Sequence, residues 1–449
     1  MDKKWEEMSA DEKQEAQFQK LLSPKNAEGK DIQFKSPKTK EKYKASLNRI
    51  KDAIQGKKKP DRVPVVILPS MFAFLNAGIT PYDAMYDSQK AVDAFKKFIL
   101  EMEPDMHIGA AQAGPGRFFE LVDYKLYAWP GHGVKKEHCY QMLDGEYMKP
   151  EEYDILISDP SRFFINYYLP RVFGILDGFR MLPNFPGIQE MYGVAFDFIP
   201  FGLPPVKETF KKLAAAADEA IKWAGYIGGL NAELTTLGYV NILAGYSKAP
   251  FDTIGDTLRG TRQIMMDLFR RPDKILEAME VLVPIMVNVG LGSARVTGNP
   301  LIFMPLHKGA DGMMSDAQFK KFYWPTFRKV IIGLIEGGCI PFPALEGHWE
   351  TRLDIIQDIP KNKTLWMVDQ SDMKKAKETL GKNACLLGNV PSSLLGLGTV
   401  DEVKDYCKKL IDTVGQDGGF IMANGAFFDE AKAENIKAMV EFTREYGKY

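Results

Sequence analysis

The sequence has few cysteines, no excess of charge of one sign and no hydrophobic run long enough to cross a membrane. Its four cysteines (Cys139, Cys339, Cys385 and Cys407) are too scattered for a disulfide framework. The 58 Lys and Arg residues are balanced by 59 Asp and Glu residues, which excludes a general nucleic-acid binder. No apolar run approaches the roughly 20 residues that span a bilayer, and the charged N-terminus does not resemble a signal peptide. We therefore expect a soluble, cytoplasmic protein that binds neither nucleic acid nor a membrane.

Several familiar motifs are also missing. There is no GxGxxG that opens a helix after a strand, no GxxxxGK[ST], no HExxH, no GxSxG and no CxxC pair. No cysteine directly follows a predicted strand, which argues against a nucleophilic cysteine or a thiolate-rich zinc site. The function must therefore rest on other side chains.

Short apolar runs that alternate with amphipathic segments dominate the chain after Pro60. Continuous apolar runs of this length are typical of strands covered on both faces of a parallel sheet. Eight such strands predict a (β/α)8 TIM barrel, with a doubly wound open sheet as the alternative. The predicted strands are residues 63–68, 105–110, 239–245, 301–306, 340–345, 364–368, 384–388 and 418–423.

Two segments lie outside this alternation. Residues 1–60 carry 16 basic and 10 acidic residues and predict a charged helical extension, with one helix from Ala10 to Leu22 and a second from about Lys38 to Gln55. Residues 120–235 are rich in aromatic residues and proline and end in a long predicted helix. We interpret them as a helical insertion after the second strand, over the barrel mouth, which acts as a lid or a dimer surface. Residues 61–449 then form the barrel domain.

Barrel enzymes carry their chemistry at the carboxyl ends of the strands. The candidate residues just past the predicted strands are Ser70, Met71, Gln112, Arg117, Tyr246, Asp252, His307, Glu346, His348, Asp369, Asp372, Asn389, Asn424 and Asp429. Of these we expect His307, Glu346 and His348 to be catalytic. The expected substrate-binding residues are Met71, Tyr246, Asp252, Asp369, Asn389 and Asn424.

His307, Glu346 and His348 are spaced so that their side chains can act together at the barrel mouth. His307 and His348 each follow a predicted strand, and Glu346 lies two residues before His348, so both side chains can face the mouth. Two imidazoles and one carboxylate form a set that catalytic zinc accepts. Two alternatives remain open, namely acid–base or hydrogen-bonding groups without metal, and polar residues with a purely structural role.

Several stretches, in order, resemble the uroporphyrinogen decarboxylase superfamily over roughly residues 57–449. They are KKPDRVPVVIL, EEYDILISDPSRFF, APFDTIGDTLRGTRQIMMDLFRRPDKILEAM, DAQFKKFYWPTFRKVI, GNVPSSLLGLGTVDEVKDYCKKLI and GGFIMANG followed by AENIKAMVEFTREYG. The resemblance implies a (β/α)8 barrel, in agreement with the strand count. It also implies either a tetrapyrrole decarboxylase or a corrinoid-dependent methyltransferase.

The chain departs from both branches of this superfamily. The decarboxylases carry an arginine-bearing motif after the first strand, where this chain has LPSMFAFLNAG without arginine; an anionic tetrapyrrole would lack its counter-charge. The thiol-methylating branch has a His-x-Cys pair and a further cysteine that bind zinc. Here those places hold Glu346-Gly347-His348 and the surroundings of Ala426.

The resemblance therefore implies a methyltransferase whose substrate is not a thiolate, such as an aryl methyl ether or a methylated amine. A corrinoid on a separate partner protein would exchange the methyl group with this small donor. Zinc on His307, Glu346 and His348, or a proton from His348, would activate the leaving group. The alternatives are a decarboxylase or lyase for a smaller substrate, and a non-catalytic corrinoid- or tetrapyrrole-binding barrel. A homodimer is expected from the resemblance and the apolar insertion.

Overall fold

A computed structural model of the chain describes residues 3–25, 29–184 and 186–449. The strands are β1 (Tyr127–Pro130), β2 (Gly133–Val134), β3 (Gln141–Met142), β4 (Leu243–Tyr246), β5 (Leu301–Leu306), β6 (Ile340–Leu345), β7 (Leu365–Val368), β8 (Cys385–Val390) and β9 (Phe420–Asn424). Strands β4 to β9 form a parallel sheet in sequence order.

Two further extended segments close this sheet into a ring. Val65 forms a parallel bridge with Met422 of β9, Val66 with Met106, and Met106 with Val240 just before β4. Backbone hydrogen bonds follow the same path, for example from Asp105 N to Val65 O at 2.8 Å. The (β/α)8 barrel predicted from the sequence is therefore confirmed. Each predicted apolar run supplies one of the eight extended segments, called staves here, that surround the barrel interior.

Successive side chains of a barrel strand point to two different apolar clusters, which explains why these runs are apolar along their whole length. All six residues of β6 are buried; Ile340, Phe342 and Ala344 belong to the cluster that fills the barrel interior. Leu345 belongs instead to the larger cluster between the strands and the surrounding helices. A strand with apolar neighbours on both faces has no polar side and reads as a continuous apolar run.

Helices surround the barrel. The α-helices are α1 (Ala10–Leu22), α2 (Pro37–Gln55), α3 (Phe72–Asn76), α4 (Pro81–Tyr86), α5 (Ser88–Met102), α6 (Gly116–Val122), α7 (Tyr153–Ser158), α8 (Pro160–Arg162), α9 (Leu169–Val172), α10 (Met191–Gly202), α11 (Pro204–Thr236), α12 (Pro250–Asp252), α13 (Thr261–Arg270), α14 (Pro272–Thr297), α15 (Asp316–Gln318), α16 (Trp324–Glu336), α17 (Leu353–Ile356), α18 (Met373–Glu378), α19 (Ser392–Leu397), α20 (Val400–Leu410) and α21 (Ala433–Tyr446). Short 3₁₀ segments are Trp5–Glu7, Pro150–Glu152, Gly174–Met181, Pro186–Gln189 and Leu380–Lys382, and π segments are Phe163–Tyr168, Thr253–Leu258, Phe319–Tyr323 and Ile411–Gly415.

The N-terminal helices α1 and α2 close the base of the barrel. The predicted helix from Ala10 to Leu22 is confirmed with the same bounds. Phe18 and Leu47 are fully buried in the cluster that fills the barrel interior. Gln14 donates a hydrogen bond from Nε2 to the carbonyl of Cys339 at the start of β6, at 2.7 Å. The 1–60 segment thus contributes to the barrel core, and its treatment as a separate extension stays a prediction.

The insertion is mainly helical, but it also contains the small sheet β2-β1-β3, which the sequence analysis did not predict. Helix α11 starts far from the barrel base and ends at it, because the carbonyl of Thr236 accepts a hydrogen bond from Lys35 N. Trp223 of α11 donates to the carbonyl of Ala113, just beyond the second stave. The helix residues before Trp223 pack on the rest of the insertion: Val206 is fully buried, and the buried Thr209 donates a hydrogen bond to the carbonyl of Ile175 at 2.8 Å.

Helix α14 is the exception to the expectation that no described segment is long and apolar enough to span a membrane. By length and apolar composition alone it could cross a bilayer, although one such helix is weak evidence because core helices pass the same test. Ile275, Met279 and Leu282 on one side of α14 are fully buried. The helix connects β4 to β5 along the chain, which is the place of a barrel helix.

Candidate active site

A buried carboxylate with three basic partners lies at the carboxyl ends of β4 and β5. Asp256, in the π segment after α12, is 3% exposed. Its carboxylate oxygens lie 2.5 Å from Lys248 Nζ, 2.9 Å from Lys308 Nζ and 2.6 Å from His307 Nδ1. Burial opposes its charge, but the His307 hydrogen bond and the lysine charges hold the pKa of Asp256 below its usual range. Asp256 is thus a permanent anion at neutral pH.

His307 is held between two carboxylates. Its Nδ1 contacts Asp256, and its Nε2 lies 3.4 Å from Glu346 Oε2 at the end of β6. Burial disfavours the imidazolium, but the hydrogen bonds to Asp256 and Glu346 outweigh that effect and raise the pKa of His307 to about 10. The ring is still one-third exposed. At neutral pH this histidine therefore presents a charged, proton-bearing ring at the mouth.

Asp252 fixes the loop that carries His307 and Lys308. Its carboxylate is fully buried; it accepts hydrogen bonds from the backbone of Lys308 at 2.7 Å and from the Tyr323 hydroxyl at 2.5 Å. Burial and the nearby charge of Asp256 raise the pKa of Asp252. The predicted substrate-binding role of Asp252 is not supported, because its side chain fixes the loop that bears His307 and has no exposed surface.

Glu346 and Asp369 form the acidic side of the mouth. Asp369 accepts a hydrogen bond from Gly347 N at 2.8 Å and thereby fixes the turn between Glu346 and His348. Gly347 has a φ of 80°, a backbone conformation that favours glycine. Burial raises the pKa of Asp369, and the charge of Glu346 adds to this effect. Glu346 keeps a side-chain exposure of 38%, so it can meet a ligand.

The zinc site expected at His307, Glu346 and His348 does not fit this geometry. His348 is 60% exposed and its Nδ1 lies 3.6 Å from Glu350, away from the other two residues. Both ring nitrogens of His307 face carboxylates. In the described parts of the chain, no group of three or more His, Cys, Asp or Glu side chains is arranged to hold a metal ion. His307, Glu346 and His348 therefore do not form a zinc site in the described structure.

An aromatic cavity of about 460 Å³ opens at the end of β4, where Tyr246 lines it. Gln112, at the end of the second stave, is among its lining residues, and its Oε1 is buried without a hydrogen-bond partner among the described residues. A cavity of this size accommodates a small organic ligand. The aromatic side chains that line it are Phe119, Tyr124, Tyr127, Trp129, Tyr140 and Tyr246.

Two tyrosines connect this cavity to the cluster. Tyr246 ends β4 and is 61% exposed, and Lys248 follows two residues later. Burial raises the pKa of Tyr127, and the negative charge of Asp256 adds to that rise. The cavity and the charged cluster are thus connected at the end of β4, through Tyr246 and Lys248. Of the predicted substrate-binding residues, Tyr246 is the one that lines this cavity.

Three other predicted substrate-binding residues support loops instead. Met71 is fully buried, and its backbone N–H donates to Asp429 at 3.0 Å. Asn424 is fully buried and exchanges hydrogen bonds with both backbone groups of Leu68. Asn389 is 5% exposed and donates to the carbonyls that follow β7. These side chains point into the protein interior and expose little or no surface to a substrate.

Sequence reasoning missed the basic partners and part of the aromatic wall. Lys308 directly follows His307, and Asp256 follows Asp252 by one helical turn; this spacing was the available signal. No local pattern pointed to Cys139, which the insertion brings to the mouth beside Asp429. Burial and the hydrogen bond to Asp429 raise the pKa of Cys139 to about 12, so it remains a neutral thiol.

Comparison with known families identifies the barrel. Residues 170–446 match the family model described as uroporphyrinogen decarboxylase (URO-D), which is more than half of the chain. The chain belongs to the URO-D family. The sequence resemblance is thereby confirmed at the level of the family. None of the curated proteins matches the chain significantly.

Solved structures agree with the URO-D fold. A methyltransferase from Methanosarcina mazei superposes with a TM-score of 0.57 and 14% identity, covering 90% of this chain and 98% of its own. At that identity the similarity concerns the fold alone. A B12-independent methionine synthase from a Shewanella species reaches a TM-score of 0.32 at 13% identity over 44% of this chain and 61% of its own, which supports no argument.

Proposed function

We propose that this URO-D family member is a methyltransferase that moves the methyl group of a small aryl methyl ether to a corrinoid on a partner protein. Family membership and the barrel fold are consistent with an enzyme of this kind. The observation that carries the proposal is the imidazolium of His307, held by Asp256 and Glu346 beside an aromatic cavity. It suits an ether because an ether oxygen leaves poorly unless it is protonated.

The two carboxylates keep His307 protonated until the substrate binds. Hydrogen bonds to Asp256 and Glu346 raise the pKa of His307 to about 10. Glu346 would give way to the ether oxygen at Nε2, and the loss of that hydrogen bond would lower the pKa again, which favours release of the proton. As the methyl–oxygen bond breaks, its electron pair stays on oxygen, which takes the proton from Nε2.

The proton of His307 favours an ether over a methylated amine. A methylammonium nitrogen already carries the positive charge that makes the amine a leaving group, whereas an ether oxygen needs a proton donor. A neutral aryl ether can also stack on the rings of Tyr127 and Trp129. The unpaired Oε1 of Gln112 would accept a hydrogen bond from a hydroxyl on the aromatic ring.

A partner-borne cofactor fits the open side of the mouth. Tyr246 and His348 are 61% and 60% exposed at the rim, so a large group can approach without displacing the core. A reduced corrinoid would supply the nucleophile that accepts the methyl group. The residues of this chain would bind the ring, orient the ether oxygen toward His307 and limit access of water.

A decarboxylase of the tetrapyrrole type is less well supported. None of the described residues that line the aromatic cavity is an arginine or a lysine. The nearby Lys248 and Lys308 are already paired with Asp256. A substrate with several carboxylates would find little unpaired positive charge.

The test uses free cobalamin in place of the partner protein. Reduced Co(I) cobalamin and purified protein are mixed with methoxybenzenes, with or without a ring hydroxyl, or with methylated amines. We expect the Co(I) absorbance band to disappear with the ethers only, and faster with a ring hydroxyl. His307→Gln should slow the transfer by 10²–10⁴-fold, the usual contribution of a general acid.

His138→Gln is the matched control, because His138 is exposed and is not among the residues that line the cavity. It should keep the wild-type rate. Gln112→Leu should remove the advantage of the ring hydroxyl without abolishing transfer. An unchanged spectrum with every ether would contradict the proposal, and release of carbon dioxide without corrinoid would favour the decarboxylase.

A further inference from the structure

A chain of hydrogen bonds runs behind one wall of the aromatic cavity. Trp129 of β1 lines the cavity and donates from Nε1 to the Tyr86 hydroxyl at 3.1 Å. The Tyr86 hydroxyl in turn donates to Glu120 Oε1 at 2.8 Å. Neither Tyr86 nor Glu120 is among the described residues that line the cavity. Both can therefore affect a bound ligand only through the wall.

The Glu120–Tyr86 pair joins three elements that supply this wall. Glu120 lies on α6, directly after Phe119. Tyr86 ends α4, directly after Met85. Together with Trp129 of β1, Met85 and Phe119 line the cavity, and we call these three side chains the α4–α6–β1 wall. Each of them is one residue or one hydrogen bond away from the pair.

The carboxylate of Glu120 is also held from its exposed side. His132, in the turn after β1, contacts Glu120 Oε1 through Nε2 at 2.7 Å and stacks on Trp129 with ring centroids 4.8 Å apart. Arg117 donates to Glu120 Oε2 at 2.8 Å. Burial opposes the charge of Glu120, but hydrogen bonds from Arg117, Tyr86 and His132 hold its pKa below the usual range. Glu120 is thus a fixed anion at neutral pH.

A glycine makes room for the contact between α4 and α6. A Cβ on Gly116, the first residue of α6, would lie 2.5 Å from the Tyr86 ring. Any other residue would push the ring away from the helix that carries Glu120, because side chains do not pack that closely. The approach of Tyr86 to Glu120 is therefore specified at a second position of the chain.

We propose that Glu120 is a positioning residue, which fixes the α4–α6–β1 wall and thereby sets the affinity of the cavity for an aromatic ring. Aromatic rings prefer offset-stacked or edge-to-face arrangements, so the indole of Trp129 must keep its orientation. Without the Glu120–Tyr86 pair the indole N–H loses its fixed acceptor, and the apparent affinity falls with the fraction of molecules whose wall is ordered. The proposal rests on the proposed function in one respect, the binding of an aryl ring in this cavity.

Calorimetric titration of the full chain with 2-methoxyphenol tests the proposal. Glu120→Ala should weaken binding by about tenfold. Tyr86→Phe removes one oxygen atom from the same chain of hydrogen bonds and should weaken binding similarly, so the test does not depend on the folding of Glu120→Ala. The double variant should bind no more weakly than either single variant, because each change breaks the same chain. If the two losses multiply instead, the residues act separately and the proposal is wrong.

A conservative variant separates position from charge. Glu120→Gln keeps an oxygen that accepts from the Tyr86 hydroxyl, so it should bind nearly as tightly as wild type; a loss equal to that of Glu120→Ala would overturn the proposal. Tyr82→Phe and Glu208→Ala are the matched controls. Tyr82 stacks on Tyr86 at 4.3 Å without lining the cavity, and Glu208 pairs with Lys212 at the surface. Both should bind like wild type, and weaker binding in both would overturn the proposal.

Methyl transfer to Co(I) cobalamin separates this proposal from the proposed function. In Glu120→Ala the KM for 2-methoxyphenol should rise by about tenfold with kcat unchanged, because only binding is affected; a lower kcat at unchanged KM would contradict the positioning role. If the binding pattern is as expected but no methyl group is transferred, the positioning role stands and the proposed function fails. If methyl transfer occurs and Glu120→Ala binds like wild type, the reverse holds. A wild type that does not bind 2-methoxyphenol would overturn the positioning role.

Discussion

Replacement of Asp256 by asparagine tests the charged cluster most directly. Asparagine keeps nearly the same shape and removes one negative charge. In the native protein that charge faces Lys248, Lys308 and His307 within 3 Å. After Asp256→Asn the two lysines, with side chains 15% and 13% exposed, would remain buried without their anion. The variant should therefore fold less stably.

The magnitude follows from the cost of a broken buried ion pair. Removal of one partner destabilises a protein by about 3–5 kcal/mol. Because the lysines keep some contact with water, we expect the lower end, about 3 kcal/mol at neutral pH. Asp177→Asn is the control: Asp177 is 76% exposed in its pair with Arg180, and loss of such a surface pair costs at most about 1 kcal/mol.

The pH dependence has a defined sign. The pKa of Asp256 is lowered on folding, so its contribution is present above the unfolded value of about 3.9 and is lost as pH falls further. The pKa of His307 is raised to about 10. Its contribution is fully present below the unfolded value of about 6.5 and is lost as pH rises through about 10. The difference between wild type and Asp256→Asn should thus shrink between pH 6 and pH 10.

Urea unfolding, followed by circular dichroism and tryptophan fluorescence at pH 6, 8 and 10, measures this difference. A loss below about 1 kcal/mol at pH 6, the size of a surface pair, would refute the idea of a coupled buried cluster. A loss of about 3 kcal/mol that stays the same at pH 10 would show that His307 is not part of it.

Three further predictions concern other parts of the molecule. The rate of ether demethylation should be constant from pH 7 to pH 9 and fall as His307 loses its proton near pH 10; a pH–rate profile that falls near the ordinary histidine value of about 6.5 would contradict this. Asn424→Leu should destabilise the chain by about 1–3 kcal/mol, measured by thermal unfolding, because it leaves Leu68 N–H and C=O unpaired where the barrel closes; an unchanged melting temperature would count against it. Phe18→Ala should cost about 3–5 kcal/mol in the main unfolding transition, because Phe18 is fully buried at the barrel base; a separate early transition, with the main one unchanged, would instead make residues 1–60 an independent unit.

The strands were predictable because they are chemically simple. A segment such as β6, with six buried residues, must be apolar along its length. The start of α1 was equally local, since the Ser9 side chain accepts a hydrogen bond from Glu12 N within the first turn. The small sheet of the insertion was not predictable in the same way, because β1 pairs with β2 and β3 through very short segments.

The amino-acid pattern was enough to tell which strand-end residues reach the mouth, because the order of strands in a parallel barrel assigns each strand end to one rim. Which of these residues meet, and which residues the insertion adds, depended on the three-dimensional fold. His307 and Glu346 are 39 positions apart yet in contact, whereas His348, two residues from Glu346, turns toward Glu350. Side-chain partners depend on the packing of loops from different strands, and a one-dimensional pattern contains no information about those distances. The scarcity of cysteine illustrates the same division: its number excluded disulfides, but only the fold showed that Cys139 lies at the mouth as a neutral thiol.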